Sequence, residues 1–249
     1  MVPSRVLKHA NAFMRLFEDS PQFLARAIVR AAHNYVEGLP PPMFKALMDY
    51  TLHASYSWHT PGHGGGVAFR KSPVGQLFYE FFGENTLRSD ISVSVGSVGS
   101  LLDHTGPIAA GERNAARIFG SDETLFVVGG TSTANKVIFQ TLLAPGDTLL
   151  LDRNCHKSVH HGVVLSGARP VYLDSSINRT YGLFGPVPKK TLFEAIEKHP
   201  DAKALILTSC TYDGLRYDLP PIIAAAHARG IKVIIDEAWY AHARFHPAF

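Results

Sequence analysis

Cysteine is nearly absent from this sequence: Cys155 and Cys210 are the two in 249 residues. That excludes a disulfide framework and fits a reducing compartment, so the expected location is the cytoplasm. No apolar run approaches the roughly 20 residues that a membrane helix needs. The first residues, Met1-Val-Pro-Ser-Arg-Val-Leu-Lys-His9, lack the charged-then-apolar order of a secretory leader. A net charge of +3 without any lysine/arginine block argues against a nucleic-acid surface and suits small anionic ligands as well. There is no internal repeat, and neither a Walker sequence nor a dinucleotide glycine fingerprint occurs. What remains, with 46% hydrophobic and 18% charged residues, is a soluble globular protein of one large domain with a smaller appendage.

The appendage is residues 1–38, which read as helical. Phe13, Leu16, Phe17, Phe23, Leu24, Ile28 and Val29 hold the apolar positions, and Ser20-Pro21 supplies an N-cap with proline at the first helical position. Leu39-Pro-Pro-Pro42 is a stiff break into a main domain at 39–249. A short helix, 43–53, follows. Residues 55–107, dense in glycine, serine, proline, histidine and asparagine, read as ordered loop. From residue 108 the pattern becomes regular: helix 109–119, strand 124–128, helix 132–143, strand 148–152, helix 156–166 and strand 170–173. Helix 189–199, strand 204–208, helix 219–229 and strand 232–236 complete it. Such alternation predicts an α/β fold, a mostly parallel sheet flanked by helices on both faces. Ligands in such sheets sit at the carboxyl ends of the strands. Those ends carry Gly129-Gly130-Thr131, Asp152 to His156, Asp174, Ser209 to Asp213 and Asp236 to Trp239, a rim far more polar than the strand bodies.

One stretch of that rim, Val127-Val-Gly-Gly-Thr-Ser-Thr-Ala-Asn-Lys136, carries the first chemical signal. A strand feeding through two glycines into a hydroxyl-rich helix start is a phosphate cradle, because the first-turn N–H groups lack intrahelical partners and the helix dipole favours an anion there. The same residues fit an ordinary Ser/Thr N-cap with no ligand, and the stretch by itself leaves both readings open. The second signal is Asp236, which closes the last strand. It fits a cap or a metal ligand; it also fits a carboxylate that needs a cationic partner in a low-dielectric cleft. A protonated ring nitrogen would satisfy it, and a phosphate held across the rim would fix where that ring lies. Together the two describe pyridoxal 5′-phosphate. His156 could stack on the ring or merely cap a helix, and Ala238 is small enough to pack the opposite ring face.

The sequence resembles the ornithine/lysine/arginine decarboxylase family of fold-type I pyridoxal-phosphate enzymes. The segments that carry the resemblance are His59-Thr-Pro-Gly-His-Gly-Gly65, Phe82-Gly-Glu-Asn85, Ser89-Asp-Ile-Ser92, Leu101-Leu-Asp-His-Thr-Gly-Pro107, Gly130-Thr-Ser-Thr-Ala-Asn-Lys136, Asp152-Arg-Asn-Cys-His-Lys-Ser158, Thr211-Tyr-Asp-Gly214 and Asp236-Glu-Ala-Trp239, in family order over about residues 40–249. The resemblance implies a fold of the pyridoxal-phosphate transferase type, incomplete at its C-terminus. Ser132 and Thr133 would hold the phosphate, with Thr131 alongside. His156 would stack on the ring, Asp236 would pair with the pyridine nitrogen, and Ala238 and Trp239 would line the cofactor, with His242 near the site. The implied reaction is decarboxylation of a basic amino acid (arginine, lysine or ornithine) to the amine, with His156 and Asp236 as the catalytic pair and a homodimer or higher oligomer as the assembly.

The sequence departs from the family pattern where the chemistry is most demanding. The family's Schiff-base lysine sits in a Ser-x-His-Lys segment beyond the Asp236 motif, and this sequence ends at Phe249. Neither Lys136 nor Lys157 is expected to replace it. The chain therefore reads as a piece of a decarboxylase, inactive alone. His59 and His63, four apart, suggest metal, but Pro61-Gly62 between them forbids a helix that would aim both one way, so no metal is expected. An aldolase- or aminotransferase-like enzyme of the same fold type, a nucleotide-binding α/β enzyme and a non-catalytic fragment are the competing readings.

Overall fold

A computed structural model describes residues 10, 12–13, 20–53, 56–92 and 95–247. The chain divides into two compact units, Met1–Phe126 and Val127–Phe249.

The first unit is helical among its described residues. Helix α1 spans Pro21–Gly38, begun as expected by Ser20, whose hydroxyl accepts the Phe23 N–H at 3.3 Å. Leu16 and Phe17, read as part of the same amphipathic face, lie outside the described residues. Helix α2 spans Pro42–Leu52. The stretch 55–107 is more regular than its composition suggested: helices α3 (Pro73–Phe82) and α4 (Glu84–Arg88) lie inside it. The reason is local. Ser72 caps α3 by accepting the Gly75 N–H at 3.1 Å, proline follows, and Phe78, Phe81 and Phe82 carry its apolar character. Helix α5 (Gly106–Phe119) ends on Gly120 in the left-handed region, a position that suits glycine. Its buried Glu112 accepts from the Phe126 N–H at 3.0 Å and pairs with His104 at 2.9 Å.

The histidines of the Thr-Pro-Gly loop take separate partners. His59 bonds Tyr50 and Ser57 through Nε2, whereas His63 faces Asp90 through Nε2 and receives the Gly66 N–H on Nδ1. Among the described residues no group of three or more histidine, cysteine or acidic side chains is placed to hold a metal. Nor is any described helix long and apolar enough to cross a membrane.

The second unit is the α/β body. Helix α6 (Gly130–Leu142) leads to β1 (Thr148–Asp152), α7 (Lys157–Ser166) and β2 (Arg169–Leu173). A short antiparallel hairpin follows, β3 (Ile177–Asn178) with β4 (Leu183–Phe184). Then come α8 (Lys189–Lys198), β5 (Ala204–Thr208), α9 (Leu219–His227) and β6 (Lys232–Asp236). The four long strands form one sheet in the order β2-β1-β5-β6, every pair parallel. Alternation along each strand sorts two apolar layers. Leu150, Leu205 and Leu207 meet α8 and α9 through Leu192, Ile196 and Ile222, while Leu149, Leu151 and Ile206 meet α6 and α7 through Phe139, Val159 and Val163. A parallel sheet covered on both faces explains why its strands read as unbroken apolar runs.

The expected first strand, 124–128, is a correction. The segment carries no strand pairing, and Leu125 and Val128 are exposed. A β-branched run becomes a strand only where a neighbouring strand takes its N–H and C=O groups; here the Phe126 N–H goes to the Glu112 carboxylate and the Val127 carbonyl to the Gly130 N–H, and among the described residues no strand pairs with the segment. Asp236 therefore closes the fourth strand of the sheet rather than a fifth.

At the carboxyl end of β1, Asp152 is buried and fully engaged. It accepts from the Asn154 N–H (2.9 Å), the Ser175 hydroxyl (2.7 Å) and the Tyr217 hydroxyl (2.8 Å), and Tyr217 Oη in turn accepts the Val187 N–H at 2.8 Å. Burial and the Asp152 charge raise the Tyr217 phenol well above its ordinary pKa. Tyr217→Phe orphans a buried N–H and removes a donor from a buried carboxylate. It is expected to cost about 1–3 kcal/mol, read as a lower urea midpoint at unchanged slope; no change would mean that water replaces the hydroxyl.

Candidate active site

The site is built at the carboxyl ends of β5 and β6, together with the N-terminal ends of α6 and α7. Helix α6 has Gly129 at its N-cap, with no side-chain cap, and Gly130 at φ +67° as its first residue. Neither Thr131, Ser132 nor Thr133 caps the helix through its side chain, and the Gly130 N–H goes to the Val127 carbonyl at 3.2 Å. A side chain at Gly129 is excluded, since a Cβ there would lie 2.0 Å from Thr133 Oγ1.

Asp236 is 5% exposed. Its Oδ1 accepts the Ala238 N–H at 3.1 Å, and its Oδ2 accepts from the Asn135 amide at 3.0 Å. Both donors are neutral, and no cation among the described residues pairs with it. A buried carboxylate held only by neutral donors is an attractive seat for a cationic ligand atom.

Thr131, Ser132, His156, Asp236, Ala238 and Trp239 line one cavity of about 320 Å³, together with Gly129, Gly130, Thr208 and Tyr212. The α6 start and the strand-end acid thus face a common space. His156 both caps a helix and lines the cavity: it is the N-cap of α7, accepting the Ser158 N–H on Nδ1 at 3.2 Å.

Two expected residues stand outside the lining. Thr133 Oγ1 donates to the Gly129 carbonyl at 3.2 Å, because a threonine in the second turn meets the backbone one turn earlier. His242 sits on a 3-10 turn, Ala241–Phe245, with its ring edge-on to Tyr240. Lys136 and Lys157 do not line the cavity either.

Sequence reasoning left Thr208 and Tyr212 without a role. Thr208 lies directly opposite Asp236 in the β5–β6 register, and its buried hydroxyl has no protein partner. Strand alternation was the available signal: Ala204 and Ile206 point to the α6 face, so Thr208 does also. Tyr212 meets Trp239 edge to face at 5.8 Å, walling the outer side. Cys155, behind His156, is pushed up to about 12 by burial and by the Asp152 and Asp236 charges, so it stays a thiol at neutral pH and offers no nucleophile.

The chain is 50% identical to lysine decarboxylase LdcA of Pseudomonas aeruginosa over 96% of its length, 39% identical to the biodegradative arginine decarboxylase of Escherichia coli over 98%, and 36% identical to the E. coli inducible ornithine decarboxylase over 99%. It spans about a third of each of those proteins, 33%, 34% and 35% respectively. The solved structure of lysine decarboxylase A from P. aeruginosa superposes with a TM-score of 0.79 over 93% of this chain and 32% of that one. That of the E. coli constitutive enzyme gives 0.77 at 37% identity, over 95% of this chain and 34% of that one. The family model for the Orn/Lys/Arg decarboxylase major domain matches residues 41–249, and the chain belongs to that family.

Proposed function

We propose that the cavity binds pyridoxal 5′-phosphate, and that this chain supplies the ring-holding half of a decarboxylase acting on arginine, lysine or ornithine. The observation that carries the reading is Asp236: a buried acid with only neutral donors, across one cavity from an uncapped helix start. The residues fit the group. The orphaned Thr208 hydroxyl and the open space around Gly130 leave room and a polar partner for a small aromatic phosphate.

When bound, the charged pyridine ring serves as the sink for the electron pair released as carbon dioxide leaves. The chain's residues keep it so. The Thr131 and Ser132 end holds the anionic tail. Asp236 holds a proton at the ring nitrogen, because a buried carboxylate stabilises an adjacent cation. His156 covers one ring face and Ala238, with its single methyl, leaves room on the other. Tyr212 and Trp239, paired edge to face, complete the cavity lining.

The substrate class follows from the named relatives, all of which decarboxylate a basic amino acid. Turnover belongs to the whole family architecture, in a homodimer or larger oligomer in the cytoplasm. In the first unit, Val74, Leu77 and Phe81 of α3 and Phe44 and Leu52 of α2 are exposed, which supports burial against further protein.

The test is a titration of the chain with Trp58→Phe, which leaves Trp239 as the reporter in the cavity. Pyridoxal 5′-phosphate should quench it saturably, and pyridoxal lacking the phosphate should bind about 10- to 100-fold more weakly, the worth of a charge-assisted set of hydrogen bonds. Equal binding of the two, or no saturable quenching, would overturn the reading.

A further inference from the structure

Behind the cavity lies a buried polar bridge that the cofactor reading does not use. Asn135, on α6, and Ser158, on α7, are each 2% exposed. Asparagine is a poor helix former, and a buried amide is costly unless fully bonded, so its presence between two helices calls for a physical reason. Its nitrogen lies 3.0 Å from Asp236 Oδ2 and 3.0 Å from Ser158 Oγ. Ser158 Oγ lies 2.8 Å from His156 Nδ1. The four side chains form one line from the strand-end acid to the imidazole.

The direction of every proton in that line is decided by chemistry. An ionised carboxylate only accepts, so the amide nitrogen must face Asp236, giving one hydrogen to Oδ2 and the other to Ser158 Oγ. Ser158 then has its own hydrogen free for His156 Nδ1. The Ser158 backbone N–H, which can only donate, converges on the same Nδ1 at 3.2 Å. Two donors on one ring nitrogen require a lone pair there, so the neutral imidazole carries its proton on Nε2.

We propose that Asn135, acting through Ser158, is a positioning residue that aims the Asp236 carboxylate and sets the His156 tautomer together. An amide does not titrate, so no proton passes between the acid and the imidazole, and each keeps a fixed electrostatic role at the ring. The consequence for the ring rests on the pyridoxal-phosphate reading; the tautomer does not.

The experiment has two arms. Long-range proton–nitrogen NMR on the unliganded chain should show neutral His156 with its hydrogen on Nε2. Asn135→Asp should lower the fraction of the Nε2-protonated form, because Ser158 must then turn its hydroxyl to the new carboxylate and only its backbone N–H still needs the Nδ1 lone pair. A wild-type His156 protonated on Nδ1 would overturn the proposal whether or not cofactor binds. The second arm exchanges the partners. Asn135→Asp alone sets two carboxylates at one contact, and should weaken pyridoxal 5′-phosphate binding roughly 10- to 100-fold while sparing affinity for inorganic phosphate. Asn135→Asp with Asp236→Asn restores a donor–acceptor pair and should recover the urea midpoint without recovering cofactor affinity, since the charge now faces away from the cavity. If the exchanged pair binds the cofactor as tightly as wild type, the bridge is merely structural and the proposal fails. Absence of cofactor binding by wild type would instead sink the cofactor reading, with the tautomer still judging the bridge.

Discussion

Asp236→Asn, placed in a chimera where this chain replaces the matching third of the P. aeruginosa lysine decarboxylase, is expected to lower decarboxylation by about 10²- to 10³-fold or more, the scale on which preorganised electrostatic partners act. Asparagine keeps the size of the side chain and an oxygen for the Asn135 amide, whose nitrogen stands 3.0 Å away. What it removes is charge, together with the acceptor of the Ala238 N–H. If the cavity holds pyridoxal 5′-phosphate as proposed, without that charge the ring nitrogen would not keep its proton and the sink for the released electron pair would be lost, whereas the Thr131 and Ser132 end is untouched. The loss should therefore fall in kcat, with pyridoxal-phosphate affinity reduced less. Asp236→Ala is a blunter variant, because it also strips the Asn135 amide of its acceptor. Amine formation is the assay; turnover by Asp236→Asn within a few-fold of the unmodified chimera would remove Asp236 from the role given to it.

The reach of the sequence can be judged residue by residue. The strands at 148–152 and 204–208 were legible to the residue because each is a buried parallel strand, and 232–236 because its Val-Ile-Ile run is apolar on both faces and bounded by turns. The segment 124–128 has the same character and forms no strand. Pairing is a property of the neighbour, and nothing in a single run of residues tells whether one is there. Helix α3 shows the opposite failure. Its Ser72-Pro73 start is the same signal that located α1 at Ser20-Pro21, yet the glycine and histidine of the flanking loop masked it.

At the site, residues announced by type were found: glycine and hydroxyls at a helix start, an acid at a strand end. Asn135 and Ser158 were not, although both lie inside quoted motifs. Their function depends on two helices meeting over the sheet, a contact between positions 23 apart in the chain, and one of 101 to Asp236. Thr133, expected alongside the other hydroxyls, stands outside the cavity lining for a related reason. At helical pitch three successive hydroxyls cannot all face one ligand, and the third turned back onto its own helix.

That helix–helix contact sets the second large effect. Phe139 of α6 is fully buried, and its ring fills the space that Gly162 of α7 leaves open; a Cβ on Gly162 would lie 2.7 Å from Phe139 Cδ2. Phe139→Ala should cost about 3–5 kcal/mol, the lost transfer energy plus the cavity left in a layer that cannot fully collapse. Gly162→Ala alone should cost about 1–3 kcal/mol through overpacking, although alanine is intrinsically the better helix residue by roughly 1 kcal/mol. In the Phe139→Ala background the sign should reverse. The added methyl then enters the vacated space, the clash is gone, and the helical preference of alanine is expressed as a gain. Urea unfolding of the four proteins closes the cycle, and a coupling of about 2–3 kcal/mol is expected for two residues in direct contact. Because Asn135 lies one helical turn before Phe139 on the same α6, any shift of that helix in Phe139→Ala should also move the Asn135 amide from Asp236. Cofactor affinity would then fall alongside stability, and Gly162→Ala should recover part of both. Additive effects of the two substitutions would mean that α6 and α7 part rather than repack, and that the seat of Asp236 does not depend on how closely they meet.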